Sequence, residues 1–427
     1  MFAIVGGNWN NGANDGFYWN LNNTSGNTNS NIGSRLLMIL KKCLLFSMAL
    51  AKNKSQTDKV STEKERLIDN HKKMKRYGHL FENIVKIENI EKAIDKASLH
   101  KKKRKSVTRV LNNKRHYAEI VQQLLLNGKY YPSPYLVSTI YDGARHKERT
   151  IYKPRFFPDQ IIHWAVMLQI GDILLKRFYP YSCASIKGRG TKTAFKQTEK
   201  ALKGNSKYCL KLDIRKFYPS VDKEILKAKF RRVFKDEDLL RLLDIIVDGN
   251  RTQGDGLPIG NYSSQWFANF YLTDLDCFIK EKLKVKYYIR YMDDMVIFHS
   301  NKRKLRKIKE EIETFLKSEK LEIKDNWQIF PIDKRFLGFL GYRFYRNHIT
   351  LRRNNFLRIK RRAKKVYRKG YISYTDACAM ISYDGLIKKS NCHTYLMKYI
   401  YPYVSVNRCR KVVSNENRKQ HPSNKKI

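Results

Sequence analysis

The chain has few acids, no paired cysteines and no long apolar run, and each absence closes off a class of protein. Only 39 Asp and Glu stand against 87 Lys and Arg in 427 residues, a formal net charge of +48. Such a deficit of acid excludes a polycationic partner and points to a polyanion, held by a term that weakens steeply with salt. Charge runs are often only solvated faces, so charge alone does not separate an enzyme from a binding protein. The seven cysteines (43, 183, 209, 277, 378, 392, 409) are odd in number and contain no Cys-x-x-Cys pair. That argues against a disulfide framework and a zinc site, and for a reducing, cytoplasmic setting. No apolar run is long enough to span a bilayer. The nearest, Leu36 to Leu50, is interrupted by Lys41 and Lys42 and lacks the position and cleavage pattern of a secretory signal.

What is present changes along the chain. Ten of the 24 residues from Asn8 to Asn31 are Asn, mixed with Gly, Ser, Trp9 and Trp19, and composition alone reads this segment as a disordered polar leader. Residues 1–73 are expected to be leader and linker. From Met74, Leu80, Ile84, Ile87, Ile90 and Ile94 recur at helical spacing, as do Ile120, Leu124 and Leu125, which predicts a basic helical extension over 74–145. Gly128, Pro132 and Pro134 end that run. A helix is predicted over Asp159–Leu175. Short strands alternate with helices over 206–345, and the chain beyond Thr350 is basic and helical to about 410. Residues 411–427 are expected to form a disordered basic tail.

Two stretches carry chemistry. In Tyr287-Tyr-Ile-Arg-Tyr-Met-Asp-Asp-Met-Val-Ile-Phe298, two β-prone runs flank a pair of acids, so a hairpin would present Asp293 and Asp294 at its tip. Hard cations such as Mg²⁺ bind through one or two carboxylates plus substrate phosphates. An isolated Asp-Asp is more often an ordinary turn, where Asp bonds its own backbone. A third acid, Asp213, ends the short apolar strand of Tyr208-Cys-Leu-Lys-Leu-Asp213. A strand-end Asp beside a hairpin Asp-Asp suits two-metal nucleotidyl transfer, which needs acids holding ions about 3.5–4 Å apart. Asp222, also acidic and near, reads as the N-cap of a helix starting at Lys223.

Both blocks, in this order and with these flanks, resemble the catalytic blocks of reverse transcriptases. The resemblance implies an α+β right-hand polymerase fold with fingers (146–205), palm (206–345) and helical thumb (346–410), preceded by the N-terminal helical extension. It implies Asp213, Asp293 and Asp294 as catalytic metal ligands with the Ile214 carbonyl, and two Mg²⁺ ions, Mn²⁺ being a possible substitute. Tyr218, five residues after Asp213, matches the family's steric gate against a 2′-hydroxyl, while Phe217 reads as a core aromatic. Arg149, Lys153 and Arg155 match the finger segment that grips the triphosphate, with the choice among them open. Lys187-Gly188-Arg189-Gly190 resembles the next block, where glycines admit a nucleic-acid strand. Phe336-Leu337-Gly338 opens a segment resembling the primer-grip hairpin. Implied partners are a template RNA, a DNA or RNA primer, and dNTPs, with no membrane.

Gly256-Leu-Pro-Ile-Gly-Asn-Tyr-Ser-Ser-Gln265 narrows the resemblance. Most reverse transcriptases carry Gln-Gly here, and group II intron enzymes continue to Ser-Pro. Ile259-Gly260 and Ser264-Gln265 instead resemble the reverse transcriptases of diversity-generating retroelements. Isoleucine has no donor to offer an incoming nucleotide, so pairing selectivity is expected to fall; the plainer reading is that Ile259 merely packs. That subfamily implies a small basic helical-bundle accessory variability protein and a bacterial or phage origin. It also re-reads residues 6–35: an Asn-rich translation fits an adenine-rich template repeat lying upstream of an enzyme that starts at Met74-Lys-Arg-Tyr-Gly-His-Leu-Phe-Glu. Residues 1–73 are then expected to be dispensable. The alternatives are a group II intron or retron reverse transcriptase, against which Ser264-Gln265 argues, and a non-catalytic nucleic-acid-binding protein with an idle polymerase fold.

Overall fold

The computed structural model describes residues 75–142, 147–249 and 256–420. The Asn-rich leader and the proposed start at Met74 lie outside these residues.

Four short helices open the described chain: α1 (Phe81–Ile84), α2 (Ile87–Ser98), α3 (Lys105–Asn112) and α4 (Lys114–Leu126). In α2, Ile90, Ala93, Ile94 and Ala97 recur at three- and four-residue spacing and are buried, against α4 and the long helix α5 (Ile161–Arg177). Between them, β1 (Leu136–Asp142) and β2 (Lys147–Lys153) pair antiparallel as a two-stranded hairpin. The expected boundary at 145/146 lies between these two paired strands and outside the described residues.

The site is carried by a five-stranded sheet of order β3-β5-β6-β4-β7. Its strands are β3 (Ser182–Cys183), β4 (Tyr208–Asp213), β5 (Tyr287–Tyr291), β6 (Asp294–His299) and β7 (Gln328–Pro331). β3 runs parallel to β5 and the other pairs are antiparallel. β4 lies between β6 and β7, and Cys209, Leu210 and Leu212 are buried. Helix α6 (Thr191–Lys203) packs on β3 and β5. Helices α7 (Phe217–Ser220), α8 (Lys223–Val233), α9 (Glu237–Asp248), α10 (Tyr262–Tyr271) and α11 (Thr273–Cys277) follow β4, and α12 (Lys302–Ser318) follows β6 and packs against β4, β6 and β7. Asp222 caps α8, its carboxylate accepting from the Ile225 amide at 2.8 Å.

A second sheet, β8 (Leu337–Phe339), β9 (Tyr342–Phe344) and β10 (Ile349–Leu351), precedes helices α13 (Arg353–Lys369), α14 (Tyr374–Ile387), α15 (His393–Tyr399) and α16 (Val406–Gln420). β10 lies past residue 345, so a strand precedes the helices expected there; Ile349 and Leu351 alternate inward and are buried. One apolar cluster runs from Cys183, Phe195 and Cys209 through Phe339 and Phe344 to Ile359, Met380 and Cys409. The expectation of disorder from 411 onward is corrected for residues 411–420, which continue helix α16. Their Asn/Lys-rich composition conceals Val412 and Val413, which with Cys409 pack on that cluster.

Candidate active site

The β4–β6 register sets Asp213 directly opposite Asp294. Residues opposite each other in an antiparallel pair project on the same face, so the two carboxylates stand side by side. Asp293 lies in the turn between β5 and β6, close enough to Asp213 for that carboxylate to raise its cost of ionisation. Burial, then the Asp213 charge, pushes Asp293 up to about 6. Burial also pushes Asp294 up to about 6, against the nearby Lys211 ammonium, which pulls the other way. Ile214 forms an antiparallel bridge with Ile323, in which Arg215 N–H donates to Glu322 and Lys324 N–H donates to Asp213. In that pattern the Ile214 carbonyl points away from Ile323.

These residues fit divalent cations. Asp294 Oδ1 is buried with no hydrogen-bond partner, an acceptor left for a ligand the chain does not supply. Among the described residues no group of three His, Cys, Asp or Glu is placed to hold a metal ion by itself. For ions that take part of their shell from substrate phosphates, an open set of carboxylates is what the chemistry needs. Two lysines flank the acids: Lys211 Nζ is 3.4 Å from Asp294 and Lys324 Nζ is 3.6 Å from Asp213.

One segment joins Tyr218 to strand β2. Leu257 N–H donates to the Tyr218 carbonyl at 2.8 Å, and Tyr152 N–H donates to the Ile259 carbonyl at 2.7 Å. Residues 257–260 thus bridge from the short helix α7 to strand β2. Gly256 is required at one end, because a Cβ there would lie 2.3 Å from the Pro219 backbone. Gly260 is required at the other: its φ is +121° and a Cβ would sit 2.6 Å from the Tyr152 oxygen. Tyr218 is half-buried, its hydroxyl pushed up by burial and by the Asp293 charge, which sets it beside the acids. Phe217 is in the core. Arg149, Lys153 and Arg155 are exposed on or just beyond β2.

Two residues expected to contact nucleic acid, Arg189 and Leu337, are engaged within the protein itself. The Arg189 guanidinium donates to the Leu175, Phe178 and Tyr179 carbonyls at 3.1, 3.1 and 2.7 Å and so fastens the end of α5. Helix ends leave four carbonyls without partners, and a fixed guanidinium fork satisfies several at once. Lys187, Gly188 and Gly190 remain exposed. Leu337 is 1 % exposed and belongs to the core, since its place on β8 turns it inward. Phe336 is half-buried under the Arg343 guanidinium at 4.7 Å, and the Gly338 carbonyl accepts from Lys211 Nζ at 2.9 Å and Arg352 at 2.6 Å.

Sequence reading missed Arg290, fully buried behind the turn. The signal was available: a guanidinium inside an apolar strand demands buried partners. A second missed feature is the exposed face of α6, where Lys192, Lys196, Lys200 and Lys203 fall in one stripe. Thr191 Oγ1, at the start of that helix, lies 3.3 Å from the Tyr291 hydroxyl.

Residues 146–344 match the family described as reverse transcriptase (RNA-dependent DNA polymerase), so this segment is a reverse transcriptase domain, with the right-hand polymerase fold. No curated protein matches the chain. Among solved structures, apo telomerase from Candida tropicalis is 12% identical over 69% of this chain and 59% of that one, with a TM-score of 0.43. Telomerase from Candida albicans in complex with the TWJ fragment of telomeric RNA is 12% identical over 70% and 65%, with a TM-score of 0.42. A C-terminally truncated apo telomerase from Candida tropicalis is 13% identical over 55% and 59%, with a TM-score of 0.39. The chain therefore spans less than two thirds of the length of each of these structures. No helix among the described residues is long and apolar enough to cross a membrane.

Proposed function

We propose that this reverse transcriptase domain makes the chain the RNA-directed DNA polymerase of a diversity-generating retroelement. It would copy a template-repeat RNA into adenine-mutagenised cDNA destined for a variable gene. The observation that carries the polymerase reading is the convergence of Asp213, Asp293 and Asp294 with the 257–260 bridge between Tyr218 and β2. The finer reading is supported by Ile259-Gly260 and Ser264-Gln265.

In this reading Asp213, Asp293 and Asp294, with the Ile214 carbonyl, hold the metal. Bound divalent ions, Mg²⁺ or in its place Mn²⁺, supply acidity to the primer 3′-hydroxyl and neutralise charge on the triphosphate. The chain's own part is positioning and electrostatics. Lys211 and Lys324 keep three close acids tolerable before substrate arrives. In this reading the Tyr218 ring closes the floor under a sugar, and Arg149, Lys153 and Arg155 donate to phosphate oxygens. Partners in this reading are template RNA, a DNA or RNA primer, dNTPs and a small basic helical-bundle accessory protein.

Primer extension on an RNA template tests the reading directly. Asp293→Asn is expected to abolish dNTP incorporation while sparing nucleic-acid binding; incorporation that survives the change would make the acids incidental. For the finer reading, Ile259→Gln is expected to lower misincorporation opposite template adenine. An unchanged error spectrum would leave a generic reverse transcriptase.

A further inference from the structure

The turn that carries Asp293 is strained. β5 ends at Tyr291 and β6 begins at Asp294, leaving Met292 and Asp293 as a two-residue connection. Met292 has φ +57°, in the left-handed region. Tight hairpins place Gly, Asn or Asp at such positions, because a Cβ there crowds the following carbonyl. A long side chain keeps that conformation only where its surroundings impose it. Both polar groups of the Met292 backbone are engaged: its N–H donates to the Cys183 carbonyl at 3.3 Å, and its carbonyl accepts from Arg290 Nη1 at 3.0 Å.

Arg290 itself is 0% exposed and spends every guanidinium N–H. Nε and Nη2 donate to the two oxygens of Asp276 at 2.8 and 2.6 Å. Nη2 also donates to Ser182 Oγ at 2.6 Å, and Nη1 to Asn269 Oδ1 at 3.2 Å as well as to Met292. Asp276 accepts in addition from the Tyr288 hydroxyl at 2.6 Å. Asn269 in turn donates to the carbonyl of Ala184, whose φ is +79°. The cluster thus holds two left-handed residues, Met292 and Ala184, on either side of the Cys183 carbonyl.

A buried ion pair is a poor device for stability, since desolvating two charges offsets most of their attraction, and apolar replacements are often neutral or better. What this pair adds is direction. We propose that Arg290, oriented by Asp276, is a positioning residue that keeps Met292 left-handed and so aims the Asp293 carboxylate at the metal position. The inference rests on the polymerase reading above. Lysine offers a point charge and three donors with no planar fork, so Arg290→Lys leaves the charge and loses the grip on the Met292 carbonyl.

The test is primer extension by the full chain, titrated with Mg²⁺ and with dNTP. Arg290→Lys is expected to lower kcat by about tenfold to a hundredfold, the scale of small misplacements of a catalytic group. It should raise the Mg²⁺ concentration at half-maximal rate and leave the KM for dNTP unchanged. Glycine adopts the left-handed region freely, so adding Met292→Gly to Arg290→Lys is expected to restore much of kcat without raising Tm. An independent variant keeps Arg290 and penalises the turn: Met292→Ile, β-branched at positive φ, should lower kcat and raise the Mg²⁺ concentration at half-maximal rate in the same sense. A double variant no faster than Arg290→Lys, or a Met292→Ile enzyme with unchanged kcat, overturns the inference. A wild-type chain that incorporates no dNTP overturns the polymerase reading instead.

Discussion

Lys211 ties the acids to the second sheet: its ammonium donates to the Gly338 carbonyl at 2.9 Å from a position 3.4 Å from Asp294. A shift of β8 would therefore disturb the cation beside Asp294. Lys211→Met keeps the aliphatic stem and deletes both contacts. Expected is a fall in kcat of about tenfold, with a raised primer KM, measured by steady-state extension on a fixed RNA template. A variant with unchanged primer KM would show that the tie does not reach the nucleic acid.

Gly260 admits no side chain. Its φ of +121° and the Tyr152 oxygen 2.6 Å from a built Cβ leave Gly260→Ala without a relaxed conformation. The expected cost is about 1–3 kcal/mol, the usual range for a residue forced into a sparsely populated backbone region. Chemical denaturation gives the loss, and the KM for dNTP should rise with it as β2 separates from Ile259. A stable variant with ordinary dNTP affinity would show the bridge to be dispensable.

His163 makes stability depend on pH. Burial lowers its pKa to about 4, and its Nδ1 pairs with Ser263 Oγ at 3.0 Å. The folded pKa lies below the ordinary value of 6.5, so between these limits the unfolded chain binds a proton that the folded chain refuses. The contribution is complete above pH 6.5 and falls as pH drops towards 4, by at most about 1.4 kcal/mol per unit. Denaturation midpoints measured across that window should fall with acidity, and His163→Gln should flatten the slope. A variant with the wild-type slope would assign the effect to other groups.

The lysine stripe on α6 should carry phosphate. Like charges one turn apart weaken a helix slightly, and the stripe begins beside Tyr291. Replacing Lys192, Lys196, Lys200 and Lys203 together by Gln should weaken RNA–DNA duplex binding uniformly across sequences. The slope of log K against log salt should shrink by roughly 3, since each phosphate contact contributes about 0.7–0.9. An unaltered slope would make the stripe a solvated face.

Much of the site was legible because its chemistry is local in sequence. Asp213 ends one strand, Asp293 lies in a turn and Asp294 starts the next strand, so periodicity and turn chemistry together place three acids at one end of the sheet. Asp222 was legible as a cap because the acid stands directly before its helix. Arg189 was not, because its partners at Leu175, Phe178 and Tyr179 are three carbonyls exposed only once α5 has ended. The helix over 411–420 was hidden by composition: Val412 and Val413 are two apolar residues among many Asn and Lys, and only the cluster around Cys409 gives them something to cover. Arg290 was missed although a charge inside an apolar strand is a signal; its partners Asp276, Asn269 and Ser182 come from three separate elements.

The bridge from Ile259 to β2 runs through the main chain: a carbonyl and an amide make it, and the glycine beside them shapes it. The half-buried side chain at 259 has no share in that bond. Architecture and chemistry are thereby written in different atoms of one residue. Under the proposed role, a single codon change there can retune copying accuracy in either direction while the scaffold is inherited intact, so the position is an adjustable setting on which selection can act without passing through misfolded intermediates.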